Sequence, residues 1–429
     1  MRILLIGNGA RENALAWKIS NSPSFKNSNS VLYAAPGNPG INKFAQAIDI
    51  SPTDIQSLKN FAVQNKIDFT VIGPEIPLSL GIVDEFEKEN LKIFGPSQSA
   101  AEIETSKIFA KDLMLKYNIP TAKYKVFNSE NLSELQNFIG EINFPIVVKA
   151  DGLAAGKGVI ICNDQNEVNE CVRELTEEKI FGDSGLSFVV EEFLHGNEVS
   201  LFIITDGDDY VILPSAQDHK RIGEGDTGKN TGGMGAYSPA DKYCDESMLK
   251  KIEAEIIKPT LEALKKEGRK FKGCLFAGLM ITPQGKPYVI EFNCRFGDPE
   301  TQAVLTLVES DFLELLIASA EGKIKDYTLK TKNAFAGCVV LASGGYPDEF
   351  EKDKLITGLE NVPENCLVFH AGTSEKNNEV YSSGGRVLSV VSVSDKSFNS
   401  AFENIYCAIE KINFDKKYFR KDIGHKALN

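Results

Sequence analysis

The chain has 429 residues, enough for roughly two to four domains of ordinary size. With 42% hydrophobic, 25% charged and 9% aromatic residues it is too apolar for a disordered chain and shows no collagen-like or low-complexity bias. The net charge of −13 repels a phosphate backbone and no apolar run approaches the ~18 residues of a membrane span, so neither nucleic acid nor a membrane is expected as a partner.

The eight cysteines contain no Cys-x-x-Cys pair and the four histidines lie far apart, which argues against a zinc site or a disulfide scaffold. Buried thiols in a cytoplasmic protein are the expectation.

Arg2 to Ile6 is a short apolar run, Gly7 and Gly9 follow, and Glu12 to Ile19 reads as a helix. Val31 to Ala35, Phe69 to Ile72 and Lys92 to Phe94 repeat the strand pattern, with helical stretches at Thr53 to Gln64 and Ile82 to Glu89 between them. This alternation predicts a doubly wound parallel sheet whose crevice lies at the carboxyl ends of its strands. Near Gly95-Pro96 the rhythm changes, and Ser99 to Tyr117 reads as one long helical stretch. Beyond it come Ile146 to Lys149, a glycine-rich loop, Val159 to Cys162, and Phe188 to Glu192. The Gly/Asp/Thr segment 217–239 reads as a long connection, followed by a helical stretch and the hairpin-like pair Leu275 to Ile281 and Pro287 to Asn293. A last unit begins after about Lys330. The expected division is 1–103, 104–328 with a glycine-rich lid at about 123–190, and 329–429.

Four stretches carry chemistry. In Gly7-Asn8-Gly9-Ala10-Arg11-Glu12 the third glycine position of a dinucleotide fingerprint holds Glu12, whose carboxylate would face a pyrophosphate, so a nicotinamide site is disfavoured. Arg11 holding one phosphate and a plain structural turn both stay open. Asp151 to Gly158 is not a Walker A loop, because a strand follows where a helix is required. It reads either as a turn or as a flap over nucleotide phosphates, with Lys149 on the preceding strand.

Glu291, Asn293 and Arg295 alternate along a strand and project together. Oxygen ligands beside a guanidinium suit Mg²⁺ on phosphates; a solvated strand face with a Glu-Arg pair is the alternative. Gln217 to Arg221 sets basic side chains beside a glycine-rich loop able to meet anionic oxygens, and an exposed loop is the bland reading. At its length, above about 12 to 15 residues, an unstructured connection is usually functional or disordered.

GNGARENALAW (7–17), VVKADGLAAGKGV (147–159), EEFLHGNEVS (191–200), QDHKRIGEGDTGKNTGGMGAYSP (217–239), IEFNCRFGDPETQ (290–302), GGRVL (384–388) and RKDIG (420–424) follow in order. With them the chain resembles the phosphoribosylamine-glycine ligases, ATP-grasp enzymes of purine synthesis, over nearly its whole length. The resemblance implies an α/β fold with a doubly wound N-terminal domain, an ATP-grasp central domain and a smaller C-terminal α/β domain. It implies ligation of glycine to 5-phosphoribosylamine with ATP and Mg²⁺ or Mn²⁺, through glycyl phosphate, in an enzyme expected to act as a monomer. Carried over residue by residue, Lys107 and Lys149 would hold ATP phosphates, and the loop with Gly156, Lys157 and Gly158 would close on them. Glu191, Glu192, Phe193 and Leu194 would face the adenine and Glu198 the ribose. Glu291 and Asn293 would ligate the metal. Arg295 would clamp the glycine carboxylate in two bonds. Gly9, Gly73, Pro74, Glu75, Asp218, His219, Lys220 and Gly232 would line the phosphoribosylamine side.

Three positions depart from the family pattern: Asn13 stands where a histidine is common, Lys229 where a proline is, and Ala277-Gly278-Leu279 where related proteins often carry a second metal carboxylate. Two other readings compete: a biotin- or imidazole-dependent, bicarbonate-using carboxylase, and a nucleotide-sensing binding protein without turnover.

Overall fold

In the computed structural model, which describes residues 1–153, 158–178 and 186–428, the opening alternation closes into a sheet. β1 (Arg2–Gly7), β2 (Val31–Pro36), β3 (Gln46–Ala47), β4 (Phe69–Ile72) and β5 (Ile93–Phe94) are all parallel, in the order β3-β2-β1-β4-β5. β1 is central because it is apolar on both faces. Ile3 and Leu5 enter one core and Leu4 and Ile6 another, as a parallel strand covered on both sides requires. The strand order reverses beside β1, so the turns after β1 and β4 flank the crevice where such sheets bind ligands.

The stretch expected as one helix over Ser99 to Tyr117 is two, Gln98–Thr105 and Lys107–Lys116. Ser106 between them has extended backbone, and its hydroxyl accepts the Phe109 N–H. The Asp151 carboxylate accepts the N–H groups of Lys107 at 2.7 Å and Ile108 at 3.2 Å. These caps satisfy the donors that the break exposes, and apolar periodicity runs through such a break unchanged.

β6 (Tyr124–Phe127), β7 (Ile146–Ala150), β8 (Val159–Cys162) and β9 (Phe188–Glu192) form an antiparallel sheet, β6-β9-β7-β8, with its own core of Phe127, Phe138, Val148 and Phe188. The glycine-rich loop connects β7 and β8; Gly156 and Lys157 lie outside the described residues. β10 (Asn197–Thr205) and β11 (Tyr210–Ile212) follow.

Segment 217–239 is not an unstructured connection. It contains β12 (Gln217–Asp218), β13 (Arg221–Gly223), β14 (Thr227–Asn230) and β15 (Gly235–Ser238). β13 and β14 pair as a hairpin, and β12 pairs with β15. β16 (Gly273–Ile281) and β17 (Pro287–Asn293) complete the central sheet β11-β10-β16-β17. The remaining strands are β18 (Phe335–Ala342), β19 (Leu355–Ile356), β20 (Cys366–His370), β21 (Thr373–Lys376), β22 (Glu379–Ser382) and β23 (Arg386–Ser394). They form two sheets, β12-β15-β18-β23-β20 and β19-β22-β21. Two strands from the 217–239 segment therefore belong to the C-terminal sheet, packed under the helix Phe398–Ile409 through Phe402 and Ile405.

Seven of the eight cysteines are buried and Cys407 is exposed, all with free thiols. Among the described residues no helix is long and apolar enough to cross a membrane.

Candidate active site

The turn after β1 is filled by its own side chain. The Gly9 N–H donates to Glu12 Oε2 at 2.6 Å, and Arg11 Nε pairs with Glu12 Oε1 at 2.6 Å. A Cβ at Gly9 would lie 2.7 Å from Glu12 Oε2, and one at Gly73 would run into the same carboxylate. A negative charge thus occupies the space a pyrophosphate would need, as the sequence leads one to expect. Arg11 is turned to Glu12 and to the Phe296 carbonyl, 3.1 Å away. Gly73 donates to the Ile6 carbonyl at 3.0 Å, and Pro74 precedes the short helix Glu75–Ser79. Burial works against ionisation of Glu75, but the guanidinium groups of Arg295 and Arg11 hold its carboxyl below the usual range.

Arg295 is more heavily engaged than a free carboxylate clamp. Its Nε donates to Glu75 Oε2 at 3.3 Å, Nη2 to Asn293 Oδ1 at 3.0 Å and Nη1 to the Phe296 carbonyl at 3.3 Å, while Nη2 also forms an ion pair with Glu104 Oε1 at 3.1 Å. A guanidinium has five N–H donors, so these three hydrogen bonds leave one on each of Nη1 and Nη2. A two-bond grip on glycine would have to share Nη2 with Glu104. Glu104 also accepts the Cys294 N–H at 2.7 Å, which fixes the end of β17. Its one sequence signal is a carboxylate on a buried helix face beside Ala100, Ala101 and Ile103.

Lys149 on β7 donates to the Ile290 carbonyl at 3.0 Å, beside Glu291, and pairs with Glu191 on β9, which Lys111 also holds. Lys107 donates to the Gly152 carbonyl at 2.6 Å, and the Gly158 carbonyl accepts the Ala150 N–H at 2.9 Å. The root of the glycine-rich loop is thereby tied to both lysine-bearing elements. Glu191 gives its side chain to the two lysines, because strand alternation puts it on the face of Lys149, opposite the core of Val148, Phe188 and Val190. Glu192 accepts the Lys123 N–H at 2.8 Å, Phe193 packs its ring 4.9 Å from His195, and Leu194 is half-buried beside them. Glu198 pairs with Lys220 at 3.0 Å.

Glu291 faces several cations. Burial opposes its charge, but Lys220, Lys149, Arg295 and Lys107 keep its carboxyl below the ordinary value. Its register partner is Gly278, which offers no second carboxylate. No cluster of three or more His, Cys, Asp or Glu side chains able to hold a metal occurs among the described residues. Glu291, with its side chain 40% exposed, and Asn293 fit a Mg²⁺ ion of the kind held by one carboxylate with phosphate oxygens and water.

Asp218 and Lys220 share this neighbourhood. Burial and the nearby Glu300 push the Asp218 carboxyl well up. Lys220 is held well above its ordinary value by Glu198, Glu291 and Asp218 in spite of burial. Gly232 donates to the Tyr346 hydroxyl at 3.0 Å. His219 does not join them. Alternation sends its ring to the opposite face, against Tyr237 and His425, where Nε2 accepts the Gly424 N–H at 3.2 Å. Burial brings its pKa down to about 3, so it is neutral there.

Sequence reasoning missed Arg386, Glu300, Lys111 and Glu104. Arg386 on β23 pairs with Asp298 Oδ2 at 3.1 Å, donates to the Asp298 carbonyl at 2.9 Å, and reaches the Gly232 carbonyl. It thereby connects the C-terminal sheet to both polar turns of the site. Arg386 falls inside GGRVL, but no spacing rule relates it to Asp298.

Three models of one family match in chain order: the phosphoribosylglycinamide synthetase N domain over 1–104, its ATP-grasp (A) domain over 105–301, and its C domain over 336–426. The phosphoribosylamine–glycine ligase of Caldanaerobacter subterraneus subsp. tengcongensis is 48% identical over 424 residues, 99% of each chain. That of Chlorobaculum tepidum is 44% identical over 434 residues, 100% of each chain. A crystal structure of phosphoribosylamine–glycine ligase from Thermotoga maritima is similar with a TM-score of 0.85 at 34% identity, covering 99% of this chain and 100% of that one. The biotin carboxylase of Campylobacter jejuni, at 16% identity and a TM-score of 0.72 over 97% of this chain and 92% of its own, shares the fold alone. Matched along its length by these models and relatives, the chain belongs to the phosphoribosylglycinamide synthetase family, the ATP-grasp ligases.

Proposed function

We propose that this cleft joins glycine to the amine of 5-phosphoribosylamine, with ATP converted to ADP and phosphate, as a step of purine biosynthesis. The observation that carries this reading is the meeting of Lys149 with the Ile290 carbonyl. It brings the strand before the glycine-rich loop against the strand bearing Glu291 and Asn293. Cations for phosphate oxygens and oxygens for Mg²⁺ are then adjacent, which is what phosphoryl transfer by positioning and charge neutralisation needs.

In this reading a glycine carboxylate oxygen attacks the γ-phosphorus and ADP leaves. The sugar amine then attacks the resulting glycyl phosphate at its carbonyl carbon, and phosphate departs as the amine loses its proton. Lys107 and Lys149 face the ATP phosphates, the glycine-rich loop would close on them, the Glu191 to Leu194 segment lies along the adenine, and Glu198 meets the ribose. Glu291 and Asn293 would hold Mg²⁺, or Mn²⁺ in its place, and a bound ion would neutralise charge on the transferring phosphoryl group. Gly9, Gly73, Pro74, Glu75, Asp218, Lys220 and Gly232 form the phosphoribosylamine side, and Arg295 orders Glu75, Asn293 and Glu104 while offering its remaining Nη1 and Nη2 protons to the glycine carboxylate. The division at 103 and 328, and a cytoplasmic monomer without nucleic acid, belong to the same proposal. A bicarbonate-using carboxylase is not favoured, since with those enzymes only the fold is shared.

The test is a coupled ADP-release assay with both substrates, followed by hydroxylamine trapping without phosphoribosylamine. ATP-dependent glycine hydroxamate is expected. Normal turnover without any trapped or exchange-active glycine would remove the acyl phosphate from the mechanism.

A further inference from the structure

Glu191 lies only 3% exposed between two ammonium groups, with Oε1 toward Lys149 and Oε2 toward Lys111. The two lysines are held differently. Lys111, also 3% exposed, donates to the Thr121 hydroxyl at 2.7 Å, whose own proton goes to the Val289 carbonyl at 2.9 Å. Its Nζ further lies 5.4 Å from the centre of the Tyr124 ring. These partners anchor it beside Thr121 and Tyr124. Lys149 has one other partner, the Ile290 carbonyl, and sits within the electrostatic reach of Glu291 in the cleft.

Together these contacts make Glu191 a carboxylate with one permanent and one exchangeable cation. We propose that Lys111 is a positioning residue for nucleotide binding: by keeping Glu191 charge-compensated, it leaves Lys149 free to exchange that carboxylate for the phosphates of ATP. The inference rests on the reading of Lys149 given under Proposed function. Removing one partner of a buried ion pair leaves an uncompensated charge, so a Glu191 whose only cation was Lys149 would hold it back from any ligand. Burial brings Lys111 down to about 8, against the pull of Glu191, so the ammonium form persists at neutral pH.

The experiment is calorimetric titration of the full chain with Mg²⁺ and the β,γ-imido analogue of ATP. Lys111→Met is expected to raise Kd about tenfold or more. In a Glu191→Gln background the same substitution is expected to change Kd less than about twofold, because a neutral amide no longer retains Lys149. Lys111→Arg, which keeps the charge, is expected to stay within about threefold of wild type. A merely structural lysine predicts no such rescue. An equal loss in both backgrounds, an unchanged Kd for Lys111→Met, or a loss for Lys111→Arg matching that of Lys111→Met would each overturn the proposal. If Lys111→Met alone does not fold, Glu191→Gln and the double variant decide: equal affinities support the proposal and a tenfold drop overturns it. Failure of the wild-type chain to bind the analogue would instead defeat the nucleotide reading, and this inference with it.

Discussion

The side-chain oxygen of Asn13 accepts the backbone N–H of His370 at 2.7 Å, joining residues 357 positions apart. Asn13 lies on the helix after the Gly7–Gly9 turn and His370 ends β20, so one buried amide ties the N-terminal crevice to the C-terminal sheet. A Cβ at Gly40 would lie 2.8 Å from His370 Cβ and collide with Asn13 Oδ1, so the chain at 40 packs directly on this bond.

Asn13→Ala strands a buried N–H. The loss expected in urea unfolding is about 1–3 kcal/mol. A variant as stable as wild type would mean that water or a shifted backbone satisfies His370.

Glu291→Ala removes the carboxylate best placed for Mg²⁺ and should lower turnover about a hundredfold or more with the fold intact. Circular dichroism and turnover measured across Mg²⁺ concentrations check this. Full activity at limiting Mg²⁺ would take the metal assignment away from Glu291.

Arg386→Met cuts the tie between β23 and the turns at Gly232 and Asp298. The Michaelis constants for glycine or phosphoribosylamine should rise about tenfold, with nucleotide affinity changed less than about twofold. Equal effects on nucleotide and substrates would show that Arg386 acts on overall stability.

Burial lowers His219 and His370 from 6.5 to about 3, with Lys426 and Arg420 adding to the effect at His219 and Lys43 at His370. As the pH falls the unfolded chain takes up these protons first. The stability of the neutral forms is therefore full above pH 6.5 and lost progressively toward pH 3. Each histidine should contribute about 1.4 kcal/mol per pH unit to that loss. Denaturant unfolding between pH 5.5 and 4 should show a slope smaller by about this amount in His219→Gln. An unaltered slope would mean that His219 is already free to protonate in the folded chain.

Local pattern was enough for much of the frame. Phe69–Ile72, Val159–Cys162, Phe188–Glu192 and Pro287–Asn293 are legible as apolar or alternating runs closed by Gly, Pro or polar turns, and the parallel N-terminal sheet follows from their alternation with helices. The Glu12 carboxylate at a glycine position also speaks against a dinucleotide without any coordinates. The break at Ser106 is only half legible: its serine cap is local, but the carboxylate that accepts the Lys107 and Ile108 N–H groups comes from Asp151, 45 positions away from the serine. The partners of Arg295 come from Glu75, Glu104 and Asn293, so whether its fork is free depends on two elements far away in sequence. The same holds for β15, whose neighbour β18 begins after residue 334, and for Glu191, whose two cations lie on a helix and a neighbouring strand. Side-chain periodicity is a property of the local backbone, so which residues share a face is legible before any packing is known. Which donor meets which acceptor depends on chain segments brought together only by burial of the cores, and that the tertiary structure alone decided.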